Sequence, residues 1–465
     1  METPPLLQAP ARFAQRNAAG LKLLLVGFLI LVLLAPLGMV RSTLHERLER
    51  HDAAVADIAQ SWGGAQRLLG PVLVVPFTFA TESETVMADG RRVRTSRLVT
   101  AEAFFLPDQL TVNGDLEPSA RSRGIYTTHV YGAKLRVTGR FAAPDFAFTN
   151  LASPEVQWSR ARVGFALSDL RGTREALVLK WSGGDAALEP GARIDGFGAG
   201  LHAPVKLAAG GGAVEFSLEL TLNGSGGLTI VPLGRQTDVR LASAWPDPGF
   251  VGSFLPVRRE IGPKGFNATW QVSHYGRDFP QAWATAGSVP APTASAIEAA
   301  AFGVNLVHMV TAYRTVERAI KYGVLFLALV FTTFFLFEAL SEVRLSALNY
   351  LLVGAALCLF YLGLLSLSEF VGFTVAYGLA AGASVLLIGL YGRSVLRSAR
   401  RALLVCGMLG GVYAYLYFVL RMEDFALLAG TGALFVLLAA VMYATRRLDR
   451  GAPPAEMADA AGVVP

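Results

Sequence analysis

The side chains able to do chemistry are few and poorly placed for it. Six histidines, His45, His51, His129, His202, His274 and His308, are scattered, and none stands in a metal-ligand spacing such as HExxH. His45 and His51 lie six residues apart, which puts them on different faces of a helix. Both cysteines, Cys358 and Cys406, fall within apolar stretches, so the rest of the chain has neither disulfide nor thiolate–zinc chemistry. There is no nucleophile elbow and no phosphate-binding loop. The glycine-rich runs at 196–200 and 223–227 precede no apolar helix that could hold a phosphate at its N-terminus. The expectation is therefore no catalytic set, no metal, no cofactor and no enzyme.

Three constellations remain. Glu338 lies inside an apolar stretch, about two residues from its end by the spacing of bilayer-length helices. An ionisable group at membrane depth is a functional candidate, although this position also lets it snorkel to the interface. Glu369 occupies a tight turn between two later stretches, and Arg318 and Lys321 precede the stretch that holds Glu338. If these ends share one membrane face, an ion pair of Arg318 or Lys321 with Glu369 is expected at a membrane junction. The third is the segment Trp245–Pro256, rich in proline and aromatic residues. Trp245, Asp247, Phe250 and Phe254 form a candidate binding loop, since aromatic faces can stack on a glycan or peptide. The alternative is a loop packed over the end of a β-sandwich.

The elements that must position these residues are dominated by six apolar stretches, at 22–40, 322–340, 348–367, 370–391, 402–420 and 425–444. Each is close to the roughly 20 residues that cross a bilayer as a helix. A charged fraction of 16% and a mean hydropathy of +0.45 agree with that reading. The net charge of +6 does not point to nucleic acid, because the arginines are scattered or stand at span ends, where anionic membrane lipid is the expected partner. The first stretch lacks a small-x-small cleavage site and reads as a retained anchor. Arg12, Arg16 and Lys22, then Arg393, Arg397, Arg400 and Arg401, then Arg446, Arg447 and Arg450 all fall on one side of a six-span arrangement. The positive-inside rule makes that side cytoplasmic. Residues 41–320 are then periplasmic, 1–21 a cytoplasmic tail and 446–465 a disordered cytoplasmic tail. Tyr322, Tyr350, Tyr377, Tyr391 and Tyr443 stand near span ends as interfacial anchors. Gly378, Gly382, Gly389, Gly407, Gly410 and Gly411 invite close contact between helices.

Within 41–320, Leu44, Leu48, Val55, Ile58 and Trp62 recur at helical spacing and predict a stalk helix over 41–69, stopped by Gly70-Pro71. Strands are expected at 72–77, 103–106, 110–112, 124–131, 134–141, 163–167, 177–181, 214–222, 228–232, 238–244 and 266–273. Turns are expected at Asn113-Gly114 and Asn223-Gly224. A last strand at 302–308 leads to Thr311, which would cap a helix running unbroken from Ala312 into the second span. The fold class expected is a six-span α-helical membrane bundle, one span plus five. A large all-β, sandwich-like periplasmic domain, of one or two subdomains, is inserted between spans 1 and 2.

The run Phe334-Phe335-Leu336-Phe337-Glu338-Ala339-Leu340, followed by Arg344-Leu345 and Asn349-Tyr350-Leu351-Leu352-Val353-Gly354, resembles the CreD family of bacterial inner-membrane proteins. So do Leu362–Ala376, Leu69-Gly70-Pro71, Arg123-Gly124-Ile125-Tyr126, the Trp245–Pro256 segment and Arg318-Ala319 with Lys321-Tyr322. The resemblance covers roughly residues 15–450. It implies a role in cell-envelope integrity and envelope stress, with altered sensitivity to colicins and β-lactams. It implies no enzymatic activity. The function expected is binding or structural support through the periplasmic domain, with an unidentified periplasmic or cell-wall partner. A transporter or lipid-handling protein is the alternative.

Overall fold

The computed structural model describes residues 18–86, 92–173, 176–182, 184–306, 312–340, 345–396, 398–422 and 425–445. Residues 1–17 and 446–465, His308 and Thr311 lie outside these, so the tails and the expected helix cap do too. The chain divides into two compact units: a helical one from the chain's two ends, up to Arg50 and from Val310 onward, and His51–Met309.

The His51–Met309 unit holds two sheets, of ten and eight strands among the described residues. The larger is organised around Gln66–Val86, which pairs antiparallel with Arg92–Phe105 and Arg162–Leu167 and parallel with Gly227–Ile230. Residues 68–77 of this strand are buried without interruption, as a strand covered on both faces requires. The smaller sheet instead alternates. In Gln109–Arg123 the buried residues Leu110, Val112 and Leu116 are separated by exposed or half-exposed ones, and Gly265–Ser273 buries Phe266, Ala268, Trp270 and Val272. One face of this sheet meets the core and the other meets water. Buried side chains of both sheets join in a single core.

Trp270 shows how the sheets are joined. It is fully buried, its ring lies 5.6 Å from Phe302 of the larger sheet, and its indole N–H donates to the Phe254 carbonyl at 3.2 Å. The Tyr131 hydroxyl makes a second link, donating to the Gly227 carbonyl at 2.6 Å. Burial raises the pKa of that phenol, so it stays a neutral donor.

Four expectations change in this unit. The stalk, expected to continue from the first span, is one helix with it, α1 (Ala18–Trp62), but it ends before 69; Gly63 takes φ +136°, which favours glycine, and stops it. Gly70-Pro71 lies inside the following strand, where pairing with Arg162–Leu167 shifts register. Asn113-Gly114 and Asn223-Gly224 are not turns but interior strand residues. A Cβ on Gly114 would meet Leu135 and Leu241 at 2.7 Å, and one on Gly224 would meet the Tyr131 ring at 2.4 Å. These glycines make room for neighbouring side chains. The strands expected at 124–131 and 134–141 are one, Tyr126–Phe141.

The helical unit contains the first part of α1 and then α3 (Ala312–Lys321), α4 (Gly323–Leu340), α5 (Ala347–Ser368), α6 (Phe373–Leu396), α7 (Ala399–Arg421) and α8 (Ala426–Thr445). A short helix, α2 (Ala294–Ala299), belongs to the β-rich unit. Helices α1, α5, α6 and α7 are long and apolar enough to cross a membrane, and α3 with α4 adds a fifth if counted as one broken span. The helix expected to run unbroken from Ala312 bends by 51° between α3 and α4. Gly323 stands at the break, with the Leu37 side chain 2.8 Å from where its Cβ would be. Before it, α3 buries Tyr313, Val316, Ala319 and Ile320 and carries Arg314 and Lys321 on its exposed side.

Replacing Trp270 with Ala should lower the unfolding free energy of the β-rich unit by about 3–5 kcal/mol, the usual result of emptying a large aromatic site. Denaturant unfolding of the full chain in detergent, followed by tryptophan emission, measures this. A loss below about 1 kcal/mol would show that Trp270 is not a joint between the sheets.

Candidate functional site

Helix α1 presents one apolar stripe to the helical unit: Val26, Leu29, Leu33, Leu37, Val40 and Leu44 are all buried. Their spacing of three and four keeps them on one face. Leu33 fits over Gly354, where an added Cβ would stand 2.1 Å from its methyl group. At each end of this stripe α1 supplies a cation to a carboxylate of another helix.

The first node is centred on Glu338. Its Oε1 pairs with the Lys22 ammonium and accepts the Leu345 backbone N–H at 3.1 Å, while its Oε2 accepts the Tyr350 hydroxyl at 3.1 Å. Lys22 also donates to the Leu345 carbonyl at 3.3 Å. The Glu338 and Lys22 side chains keep only 12% and 26% of their exposure. The carboxylate is thus held by three donors and does not reach out alone to the interface, as its position near a span end suggested. This arrangement compensates much of the cost of removing both charges from water.

The second node is centred on Glu369, which closes α5 and retains 8% of its side-chain exposure. Its Oε1 accepts the Tyr313 hydroxyl at 3.2 Å and lies 3.6 Å from Arg47 Nε. A carboxylate at a helix C-terminus opposes the helix dipole, so a nearby cation is needed. The cation expected here was Arg318 or Lys321. Lys321 instead pairs at 3.1 Å with Glu317, one turn earlier on its own helix, and Arg47 of α1 serves Glu369. Arg318 is half-buried on the same helix as Lys321. From Lys22 to Arg47, α1 rises about 37 Å, between the roughly 30 Å hydrocarbon core and the 40–45 Å of a whole bilayer. The two nodes are therefore separated along α1 by about the thickness of a bilayer.

Between the nodes the unit is lined by hydroxyl groups. Tyr377 donates to the Tyr413 carbonyl at 2.7 Å, and Tyr413 donates to Ser384 Oγ at 2.7 Å. Tyr350 and Tyr377 are thus buried packing residues and not interfacial anchors. Tyr391 bonds Asn349 at 2.8 Å.

The aromatic side chains of the Trp245–Pro256 segment are directed into the β-rich core. Trp245 is buried, donates its indole N–H to the Asp247 carbonyl at 2.9 Å and meets His129 edge-on at 4.8 Å. Phe250 lies on the strand Gly249–Gly252 with its ring 5.7 Å from Trp270, and Phe254 packs 5.8 Å from Phe302. The Trp245, Phe250 and Phe254 rings thus make core contacts, as a loop packed over the sandwich would. Among the described residues no three His, Cys, Asp or Glu side chains converge on a metal site.

The sequence singled out Glu338 and Glu369 but missed Lys22, Arg47, Tyr313 and Tyr350 as their partners. In the sequence Lys22 stands out only as a topology signal. Arg47 lies 322 positions before Glu369, and nothing in local spacing ties them. The available signal was that Lys22 and Arg47 bracket an apolar stripe of bilayer length.

The family model described as "Inner membrane protein CreD" matches residues 18–450. The protein named "Inner membrane protein CreD" of Escherichia coli (strain K12) is 33% identical over 423 residues, covering 90% of this chain and 91% of that relative.

The first node predicts coupling. Lys22→Met and Glu338→Gln should each destabilise the full chain, by at most roughly 3–5 kcal/mol, because each leaves a partly buried group unmatched. The double variant should lose at least about 1 kcal/mol less than the sum. Thermal unfolding in detergent measures the cycle, and strict additivity would break the node into two unrelated contacts.

Proposed function

The chain belongs to the CreD family of inner membrane proteins, and we propose that it supports envelope integrity as a multi-pass protein that binds or braces and does not catalyse. In this reading α8 is the sixth span, both ends of the chain are cytoplasmic and residues 41–320 are periplasmic. The periplasmic unit meets a partner in the periplasm or cell wall, and α3, amphipathic and bent from α4, lies along the outer interface. The observation that carries the reading is the pair of nodes on α1. A helix tied to its neighbours at two levels a bilayer's thickness apart is suited to bracing. The described carboxylates of the helical unit, Glu46, Glu49, Glu317, Glu338 and Glu369, all stand at helix ends or outside the apolar stretches. That favours bracing over proton-coupled transport, which places ionisable groups along its path.

Labelling tests the orientation. With Cys358 and Cys406 replaced by Ser, a Tyr275→Cys chain should react with a membrane-impermeant maleimide in intact spheroplasts, since Tyr275 is 89% exposed. An Ala455→Cys chain should react only after lysis, and the opposite pattern inverts the proposed topology. The role itself is tested in a strain without this protein, which should change its survival under a β-lactam and recover on expression of the full chain. Unchanged survival would end the envelope reading while leaving the topology intact.

A further inference from the structure

Helices α6 and α7 touch through Tyr377–Tyr413 and Thr374–Arg421, but their glycine-rich faces beside these contacts stay apart. Near their connection they touch: a Cβ on Gly389 would stand 2.4 Å from Cys406 Sγ. Away from it, Cβ atoms added to Gly378, Gly382 or Gly410 would meet nothing within 4 Å. These glycines, expected to bring helices into contact, leave open space instead. The space is a groove of about 810 Å³, with Gly378, Gly382, Val385 and Leu386 on one wall and Gly410 and Ala414 on the other. Its volume falls in the range of roughly 300–1,000 Å³ typical of small-molecule sites. Its walls run from Thr374 to Leu390, about 24 Å of helix, which exceeds half of a bilayer's roughly 30 Å hydrocarbon thickness.

One end of the groove is polar. Arg421, the last residue of α7, donates from Nη2 to Thr374 Oγ1 at 2.9 Å and from Nε to the Tyr417 hydroxyl at 3.1 Å. Thr374 and Tyr417 both line the groove. Among the described residues the guanidinium's other N–H donors are unused, and the side chain is exposed. A guanidinium with free donors matches a phosphate in shape and charge. The groove behind it is almost wholly apolar.

We propose that this groove seats one acyl chain of a phospholipid, with the lipid's phosphate held by Arg421 and supported by Thr374 and Tyr417. The site orders a single lipid at a fixed place on the helical unit, distinct from the mobile lipids around it. The inference goes beyond the proposed role and is independent of membrane sidedness, since it needs only that α6 and α7 span the bilayer.

The test uses the full chain in detergent, stripped of lipid, with native mass spectrometry as dioleoylphosphatidylglycerol or dioleoylglycerol is added. The wild type should hold one phosphatidylglycerol at least tenfold more tightly than the phosphate-free dioleoylglycerol. Gly382→Leu combined with Gly410→Leu fills open space, so it should keep the thermal midpoint while weakening that lipid at least tenfold. Arg421→Gln should remove the preference for phosphatidylglycerol and leave dioleoylglycerol binding unchanged. If the leucine variant does not fold, Leu386→Trp fills the same groove from a position 64% exposed and should weaken the lipid likewise. Equal retention by filled and wild-type chains overturns the proposal. So does a wild-type dimer that dissociates when the groove is filled, which would make a second copy of the chain the occupant.

Discussion

The constraint on which the helical unit depends is that charge removed from water must be matched where it lies. Glu338 and Glu369 are both mostly withdrawn from solvent, and each is answered by a cation from α1 and a tyrosine hydroxyl from another helix. The apolar stripe between Lys22 and Arg47 could slide or rotate on its neighbours at small cost, because lipid and leucine are alike to an apolar side chain. The charged ends cannot. They fix the height and facing of α1, and with them the seat of Leu33 over Gly354 and of Leu37 against Gly323.

The β-rich unit obeys a different constraint. Its central strand, Gln66–Val86, is buried on both faces over ten residues and takes partners from across the unit, while the smaller sheet keeps a wet face. Aromatic residues join the layers: Trp270 reaches Phe302 and Phe254, and Tyr131 reaches Gly227. The segment most suggestive of a ligand site in the sequence, from Trp245 onward, is part of this joinery. A buried indole needs a hydrogen-bond acceptor, and the irregular, proline-rich backbone provides one at Asp247.

What was legible in the sequence is what local pattern encodes. Bilayer-length apolar stretches mark α1 and α4–α8, and alternation marks the strands of the smaller sheet. Boundaries set by single glycines were harder to read. Gly63 ends α1 because of its backbone angle, Gly323 stands where the span is bent, and Gly114 and Gly224 leave room for side chains in strands. The same residue type served three purposes that only the neighbours distinguish. The two carboxylates of the candidate site were visible as ionisable groups at the margins of apolar stretches. Their cations were not, because pairings separated by more than 300 positions leave no trace in spacing.

Those long separations set an order of events during synthesis. Lys22 precedes Glu338 by 316 residues, so at 5–20 residues per second α1 exists for roughly 15–60 s before its first carboxylate is made. Throughout that time it must sit in the bilayer as a lone helix, with both cations satisfied by water and headgroups. The larger sheet waits as well, since Phe302–Asn305 is its last strand to emerge and pairs with Gly227–Ile230. Assembly of this protein therefore begins with an anchor that is complete in sequence but unpartnered, and ends when the late helices deliver the charges that hold it.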